Sequence, residues 1–250
     1  MQMMIRTAFA AVVLAAVSLA HAASGWVGKG EAGFVMARGN TDTDAANAKL
    51  EIARKLDRWK HTFGLAGLYA RSGEMTTAQR WDTRWQTDYD FTARLFGFGA
   101  ARYEKDRFSG FDYQASLAAG VGYRLIDEDA TKLTAQVGAG YRGLREELLI
   151  KDPLGRVVDR LKGDSSGDVI LNAGMKFEHA FNDATKLLDS LLVESGSDNT
   201  QVVNQLALQV RMTDVLALAL GYEIRNNSNP PAGLEKTDKL TTVNLVYEIR

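Results

Sequence analysis

The sequence predicts an all-β fold: a transmembrane antiparallel up-and-down β-barrel of about twelve strands, with short periplasmic turns and longer external loops. Three observations predict it. Polar and apolar residues alternate in one segment after another, an apolar leader precedes those segments, and the connections between them alternate in length. A helix would scatter such residues around its axis; only a period of two separates them onto opposite faces.

The leader comes first. Arg6 supplies a positive start, residues 8–19 are apolar except for Ser18, and Ala20-His21-Ala22 is a small-x-small cleavage site. The apolar run is too short for a spanning helix, which needs about 20 residues. Residues 1–22 are therefore expected to be a secretory signal peptide and residues 23–250 the barrel domain. Without cysteine there is no lipid-anchoring cysteine, no disulfide and no thiol nucleophile. The net charge of −1, or −2 once Arg6 is removed, argues against a nucleic-acid partner. The three prolines, Pro153, Pro230 and Pro231, all fall between expected strands, as sheet requires.

Alternation places strands near 25–38, 43–56, 59–71, 78–91, 94–106, 111–125, 131–144, 167–180, 185–195, 200–212, 214–226 and 238–249. The fourth is the clearest: Gln79, Trp81, Thr83, Trp85, Thr87, Tyr89 and Phe91 share one face, and Arg80, Asp82, Arg84, Gln86, Asp88 and Asp90 the other. In the sixth, Phe111, Tyr113, Ala115, Leu117, Ala119, Val121, Tyr123 and Leu125 oppose a polar and glycine-rich face. The ninth is the weakest, because Asp189 interrupts its apolar face. In the last, Thr241, Val243, Leu245, Tyr247 and Ile249 alternate with Thr242, Asn244, Val246 and Glu248.

Short connections at 56–58, 92–93, 126–130, 182–184 and 213–214 interleave with longer ones at 72–77, 107–110, 145–166, 196–199 and 227–237; the first turn is 39–42. An even strand count puts both termini on the periplasmic side. With odd strands running outward, Trp26, Trp59, Tyr89, Tyr123, Phe181 and Tyr247 form a periplasmic girdle, and Tyr69, Trp81, Tyr103, Tyr113, Tyr141 and Tyr222 an outer one.

Charge on the lipid face costs about 2–4 kcal/mol at mid-depth. The charged set is therefore expected to face the lumen: Lys29, Glu31, Lys49, Glu51, Arg80, Asp82, Arg84, Asp88, Arg102, Glu104, Arg124, Arg142, Lys176, Glu178, Glu223 and Arg225. The signs are mixed, so pairing leaves a narrow or closed pore. Only 145–166 is long enough to act as a constriction loop.

Several strings imitate chemistry. Residues 28–33 and 138–143 fit G-x-G-x-x-G, but both copies lie within alternating strands rather than at a strand-to-helix turn. Residues 163–167 fit G-x-S-x-G in a polar loop, while His61 and His179 fall at the opposite ends of their strands from Ser165 and Ser166. Asp42, Asp44, Asp127, Asp129 and 197–199 read as Asx-rich turns. No catalytic, cofactor or metal site is assigned, and a hydrolase is the least favoured function.

Further strings carry a resemblance. They are Gly25-Trp26 with Gly28-Lys29-Gly30-Glu31, Gly39-Asn40-Thr41-Asp42-Thr43, and the run from Tyr103-Glu104-Lys105-Asp106 through Phe108-Ser109-Gly110 to Asp112-Tyr113. Gly122-Tyr123-Arg124-Leu125-Ile126, Gly196-Ser197-Asp198-Asn199-Thr200, Asn227-Ser228-Asn229-Pro230-Pro231 and Lys236-Thr237-Asp238 complete the set. In this order they resemble the YdiY-type salt-induced outer membrane proteins, a family of unknown function, over essentially the whole mature chain. The resemblance implies an outer-membrane barrel linked to salt stress and carries no catalytic or binding residues. The ending Tyr247-Glu248-Ile249-Arg250 departs from the terminal aromatic that many such barrels present to the assembly machinery.

The expected location is the outer membrane of a Gram-negative bacterium. The expected role is a small passive channel or a structural protein of envelope stress; the alternative is a surface interaction protein working through 145–166 and 227–237. The expected partners are outer-membrane lipid, lipopolysaccharide and the barrel assembly machinery.

Overall fold

A computed structural model describes residues 25–37, 43–73, 75–153, 157–231 and 233–249. The expected signal peptide at 1–22 and the first turn at 39–42 lie outside the described residues. The described chain forms twelve strands: β1 (Trp26–Ala37), β2 (Thr43–Leu56), β3 (Trp59–Ser72), β4 (Met75–Asp90), β5 (Leu95–Asp106), β6 (Phe111–Asp127), β7 (Thr131–Lys151), β8 (Val157–Ala180), β9 (Thr185–Ser195), β10 (Thr200–Arg211), β11 (Leu216–Asn227) and β12 (Thr237–Ile249). Each pairs antiparallel with its sequence neighbours, and β12 pairs back to β1, closing the barrel.

At one end, three connections share a device. Thr92 Oγ1 accepts from the backbone N–H of Arg94 and Leu95, Asn182 Oδ1 from Ala184 and Thr185, and Thr213 Oγ1 from Val215 and Leu216. The residue before each, Phe91, Phe181 or Met212, donates its N–H back across the turn to Leu95, Thr185 or Leu216. A side-chain oxygen thus replaces a backbone acceptor and closes the hairpin tightly. At the same end, Asp57 closes the β2–β3 turn in the left-handed region, at φ 52°.

The opposite end corrects the expected 145–166 loop. β7 continues to Lys151 and β8 begins at Val157, pairing all the way out. Their neighbours stop short: β6 reaches β7 only as far as Glu146, and β9 reaches β8 only from Leu171. The two strands therefore project beyond their neighbouring strands as a ribbon. The expectation failed because the ribbon is largely exposed and carries Leu148, Val158 and Leu161 among charged residues, so no single apolar side stands out in the alternation. The G-x-S-x-G string, expected in a loop, is strand within β8.

The outward face is an apolar belt. Trp81, Trp85, Leu117, Tyr141, Val169, Leu220 and Val243 are all exposed on it. Aromatic rings touch across adjacent strands near each end: Trp59 with Tyr89 at 4.8 Å, and Trp81 with Tyr103 at 5.3 Å followed by Tyr103 with Tyr113 at 6.0 Å. Phe111, expected on this face, is buried instead; the register shifts between Phe111 and Tyr113, and that bulge breaks the alternation.

Candidate functional site, the charge network inside the barrel

On β5 the residues Phe96, Phe98, Ala100, Arg102 and Glu104 share the inward face, and on β11 Ala217, Ala219, Gly221, Glu223 and Arg225 do so. β5 and β11 stand six strands apart in a ring of twelve, yet Arg225 Nη1 donates to both carboxylate oxygens of Glu104, at 2.9 and 2.8 Å. A circular twelve-strand barrel would be about 24 Å across, given the usual strand spacing and tilt. These two side chains cannot span that, so the cross-section is flattened and the walls approach each other at this pair.

The pair belongs to a chain of contacts. Arg80 of β4 reaches Glu223 at 2.7 Å, and Arg225 Nε also donates to Glu223 at 2.7 Å. Arg102 bridges Glu104 at 2.5 Å and Glu194 of β9 at 3.1 Å. Glu194 accepts from Ser116 of β6 at 2.7 Å. Gln114 and Gln201 hydrogen-bond from β6 to β10. Contacts between strands that are not neighbours pass only through the interior. Arg142 of β7 closes the layer, donating to the Asn199 carbonyl at 2.9 Å and lying 3.6 Å from Asp168. Arg142 is 1% and Glu194 2% exposed, so solvent scarcely enters this layer.

A second group is wetter. Arg84 of β4 donates to Glu51 of β2 at 2.9 Å, with side chains 50% and 36% exposed. Lys176 lies within the field of both, and Lys29 pairs with Glu31 at 3.1 Å, with Lys49 close to Glu31. Near the tight-turn end, Arg124 bonds Asp90 at 2.6 Å, and Lys186 lies 3.9 Å from Glu178 and 3.8 Å from Glu248. Asp88 accepts from Gln86 at 2.7 Å, and Asp82 stands opposite Glu104 in the β4–β5 ladder. The network thus gathers Arg80, Arg102, Glu104, Arg142, Glu223 and Arg225 from the sequence-expected set. It leaves Arg124, Glu178 and the Lys29–Glu31 pair outside the layer.

Glu194, Ser116, Gln114 and Gln201 were not singled out from the sequence, and Asn199 only as part of an Asx-rich turn and a family string. Glu194 could have been found by parity, but β9 hides its faces: Leu188 and Leu192 share the inward side with Glu194, and Asp189 sits outward. The lumen is also less polar than a charged inner face suggests. Phe96, Phe98 and Ala118 form one buried cluster, and Ala217, Ala219 and Val246 another. Phe96 lies over Gly122 and Phe98 over Gly120, where a Cβ would collide with the rings.

The imitations of chemistry resolve into strand. Both G-x-G-x-x-G strings lie inside β1 and β7. Ser165 Oγ is 3.4 Å from the Tyr113 hydroxyl. His61 and His179 instead bond Thr87 and Thr131 at 2.9 Å each, among the aromatic rings of the tight-turn half. Among the described residues, no three His, Asp or Glu side chains group as metal ligands.

Comparison with known proteins agrees with this architecture. The model of a family described as a protein of unknown function, DUF481, matches residues 30–249. The uncharacterized protein YdiY of Escherichia coli (strain K12) is 24% identical over 225 residues, covering 87% of this chain and 81% of that one. Among solved structures, the translocator domain of the autotransporter NalP from Neisseria meningitidis aligns with a TM-score of 0.51 and 16% identity, over 98% of this chain and 96% of that one. A NanC porin aligns with a TM-score of 0.47 and 10% identity, over 90% and 99%. At such identities the likeness is one of fold.

Proposed function

The chain belongs to the DUF481 family, and from that premise we propose that it is an outer-membrane barrel of a Gram-negative bacterium, acting as a narrow, normally closed channel for small ions or solutes rather than as an enzyme. The observation that carries this reading is the ionic layer joining β4, β5, β9 and β11. Apolar side chains would fill a permanently sealed lumen at least as stably as buried ion pairs do. An ionic layer differs in that its members keep solvated states to move into when it parts. Ions compete for the wetter Arg84–Glu51 pair beside the layer and screen the buried pairs far less, so raised salt loosens the lumen from that side and connects the channel to salt stress. The tight-turn end then faces the periplasm and the ribbon faces outward. Outer-membrane lipid and lipopolysaccharide surround the belt, and the barrel assembly machinery inserts the chain.

Planar-bilayer recording tests it. The wild-type protein should show rare, small conductance steps, more frequent at high salt, and Glu104→Gln with Glu223→Gln should make them frequent at low salt. Silence from both proteins, with folded barrel verified by heat-modifiable mobility on gels, disposes of the channel.

A second reading, a surface interaction protein, draws on the ribbon. Leu148, Val158 and Leu161 are exposed beyond the neighbouring strands. Lys162–Asp112 at 3.0 Å ties the ribbon to β6, Arg160 donates to the Arg107 carbonyl of the β5–β6 connection at 2.7 Å, and Arg160–Glu147 at 2.8 Å joins the two strands of the ribbon. Removing 147–162 should abolish lipopolysaccharide binding while leaving folding intact; unchanged binding ends that reading.

A further inference from the structure

Small side chains hollow the lipid-facing belt at one place. In one row of the ladders Ala101 of β5 lies between Trp85 of β4 and Leu117 of β6, and Tyr141 of β7 follows Leu117. One row outward Ala115 and Gly143 stand side by side, and one row inward Gly99 faces Ala119. Trp85, Leu117 and Tyr141 are at least half exposed, so tall side chains flank a floor of alanine and glycine. Two hollows of about 430 Å³ each result, and they share Trp85, Ala101 and Leu117, so they form one groove. It runs from the stacked rings of Tyr103 and Tyr113, in the outer aromatic row, to the depth of Thr87 and Gly99.

Positive charge gathers at the outer end of that groove. The next outward-facing residue beyond Tyr103 on β5 is Lys105, and beyond Gly143 on β7 it is Arg145. Lys105 Nζ lies 2.9 Å from Asp112 Oδ1, and Lys162 Nζ lies 3.0 Å from Asp112 Oδ2. One carboxylate thus serves two ammonium groups, whose side chains remain 39% and 50% exposed. Arg145 donates Nε to the neutral Gly163 carbonyl at 2.9 Å. The cluster therefore keeps an excess of positive charge and stands open to solvent.

Groove and cations follow one another along the same strands, so together they fit one molecule with an apolar tail and an anionic head. Outward of the aromatic row lies the headgroup level, where basic clusters hold anionic lipids. Lys and Arg are the side chains that donate charged hydrogen bonds to phosphate oxygens. A second copy of the chain fits less well. Asp189, the carboxylate that interrupts the belt, stands four residues from the tight-turn end of β9, and two copies inserted in the same direction cannot bring it to the outer end.

We propose that this groove is the binding site of a phosphorylated lipid of the outer leaflet. One acyl chain lies over Ala101 and Ala115, flanked by Trp85, Leu117 and Tyr141, and the phosphate meets Lys105, Arg145 and Lys162. The proposal rests on the membrane placement above and not on the channel. Because Lys162 belongs to the ribbon and Lys105 to the barrel wall, the bound head also joins the two.

Protein refolded in neutral detergent, with its fold verified by heat-modifiable mobility, is mixed with bisphosphorylated lipid A, the same lipid stripped of phosphate, or phosphatidylcholine. Native mass spectrometry counts the lipid retained. The wild type should keep one lipid A and hold it roughly tenfold more tightly than the dephosphorylated form. Lys105→Gln with Arg145→Gln, which leaves the Lys162–Asp112 pair in place, should erase that preference. Ala115→Phe, which fills the groove and stays apolar, should weaken both forms alike. Equal retention of all three lipids, a preference that survives Lys105→Gln with Arg145→Gln, or an Ala115→Phe variant that binds as the wild type overturns the site. So does displacement of lipid A by an equal concentration of inorganic phosphate, or a mass of two copies without lipid, which gives the groove to a second copy. The membrane placement is read separately, from tryptophan fluorescence of the wild type in vesicles of phosphatidylcholine with brominated acyl chains. An unquenched signal refutes the placement; quenching without a preference for lipid A refutes the site alone.

Discussion

Arg225 and Glu104 lie 121 positions apart in sequence, yet one guanidinium nitrogen reaches both oxygens of the carboxylate, at 2.9 and 2.8 Å across the lumen. Glu104 also receives Arg102, and Arg225 also serves Glu223, so each charge is shared between two partners of opposite sign. Neither group tolerates isolation in this layer. Removing one partner of a buried pair typically costs about 3–5 kcal/mol, whereas replacing both is close to neutral. Arg225→Met should therefore destabilise the barrel by about 3 kcal/mol, and Glu104→Gln with Arg225→Met by clearly less. Urea unfolding in lipid vesicles measures both, and a fully additive double variant would show that the two residues do not act as a pair.

Gly122 seats the Phe96 ring against the inner wall, and Arg124 lies 5.0 Å from the centre of that ring. A methyl group on residue 122 would sit within the ring's own volume. Overpacking of this kind costs about 1–3 kcal/mol. Gly122→Ala should lower the unfolding midpoint in urea, and adding Phe96→Leu should recover part of the loss.

The strand count, the near bounds of most strands and the two aromatic rows were legible because one face of each strand is apolar, as it must be where lipid covers a barrel. Trp59 with Tyr89 and Trp81 with Tyr103 meet because that rule fixes their parity and their depth. Where solvent touches both faces the rule lapses, so the β7–β8 ribbon read as loop. The lumen obeys no such rule either. It accepts Phe96, Ile170 and Val246 beside Arg142 and Glu194, because closeness to the opposite wall, rather than polarity, decides what fits. Which charges meet depends on the flattening of the barrel, and no local pattern encodes that. The shared turn device was present in the strings Phe91-Thr92, Phe181-Asn182 and Met212-Thr213, each followed by a tight reversal.

Trp85 lies between the two aromatic rows: it stands opposite Phe63 and Ala101, four residues along β4 from both Trp81 and Tyr89. Single-tryptophan variants in vesicles should show it. Trp85 should be quenched most by a spin label deep in the acyl chain, and Trp59 and Trp81 by one near the headgroup. The same quenching depth for all three contradicts the two-row arrangement.

Asp189 breaks the outward apolar face of β9. It stands opposite Phe177 and Leu206 in the ladders on either side, and its carboxylate accepts from Asn204 Nδ2 at 2.7 Å. Asn204 has a second acceptor, the Ser190 carbonyl at 3.3 Å, so it keeps a partner if the carboxylate is removed. Acidic groups on a lipid face cost less than the roughly 2–4 kcal/mol of a basic one at mid-depth, and a residue four positions from the strand end lies shallower still. Asp189→Leu should accordingly stabilise the barrel by about 1 kcal/mol in urea unfolding, without changing its conductance. A loss of stability would instead mean that Asp189 faces protein, and chemical cross-linking of the wild type against Asp189→Leu then decides whether that protein is a second copy of the chain.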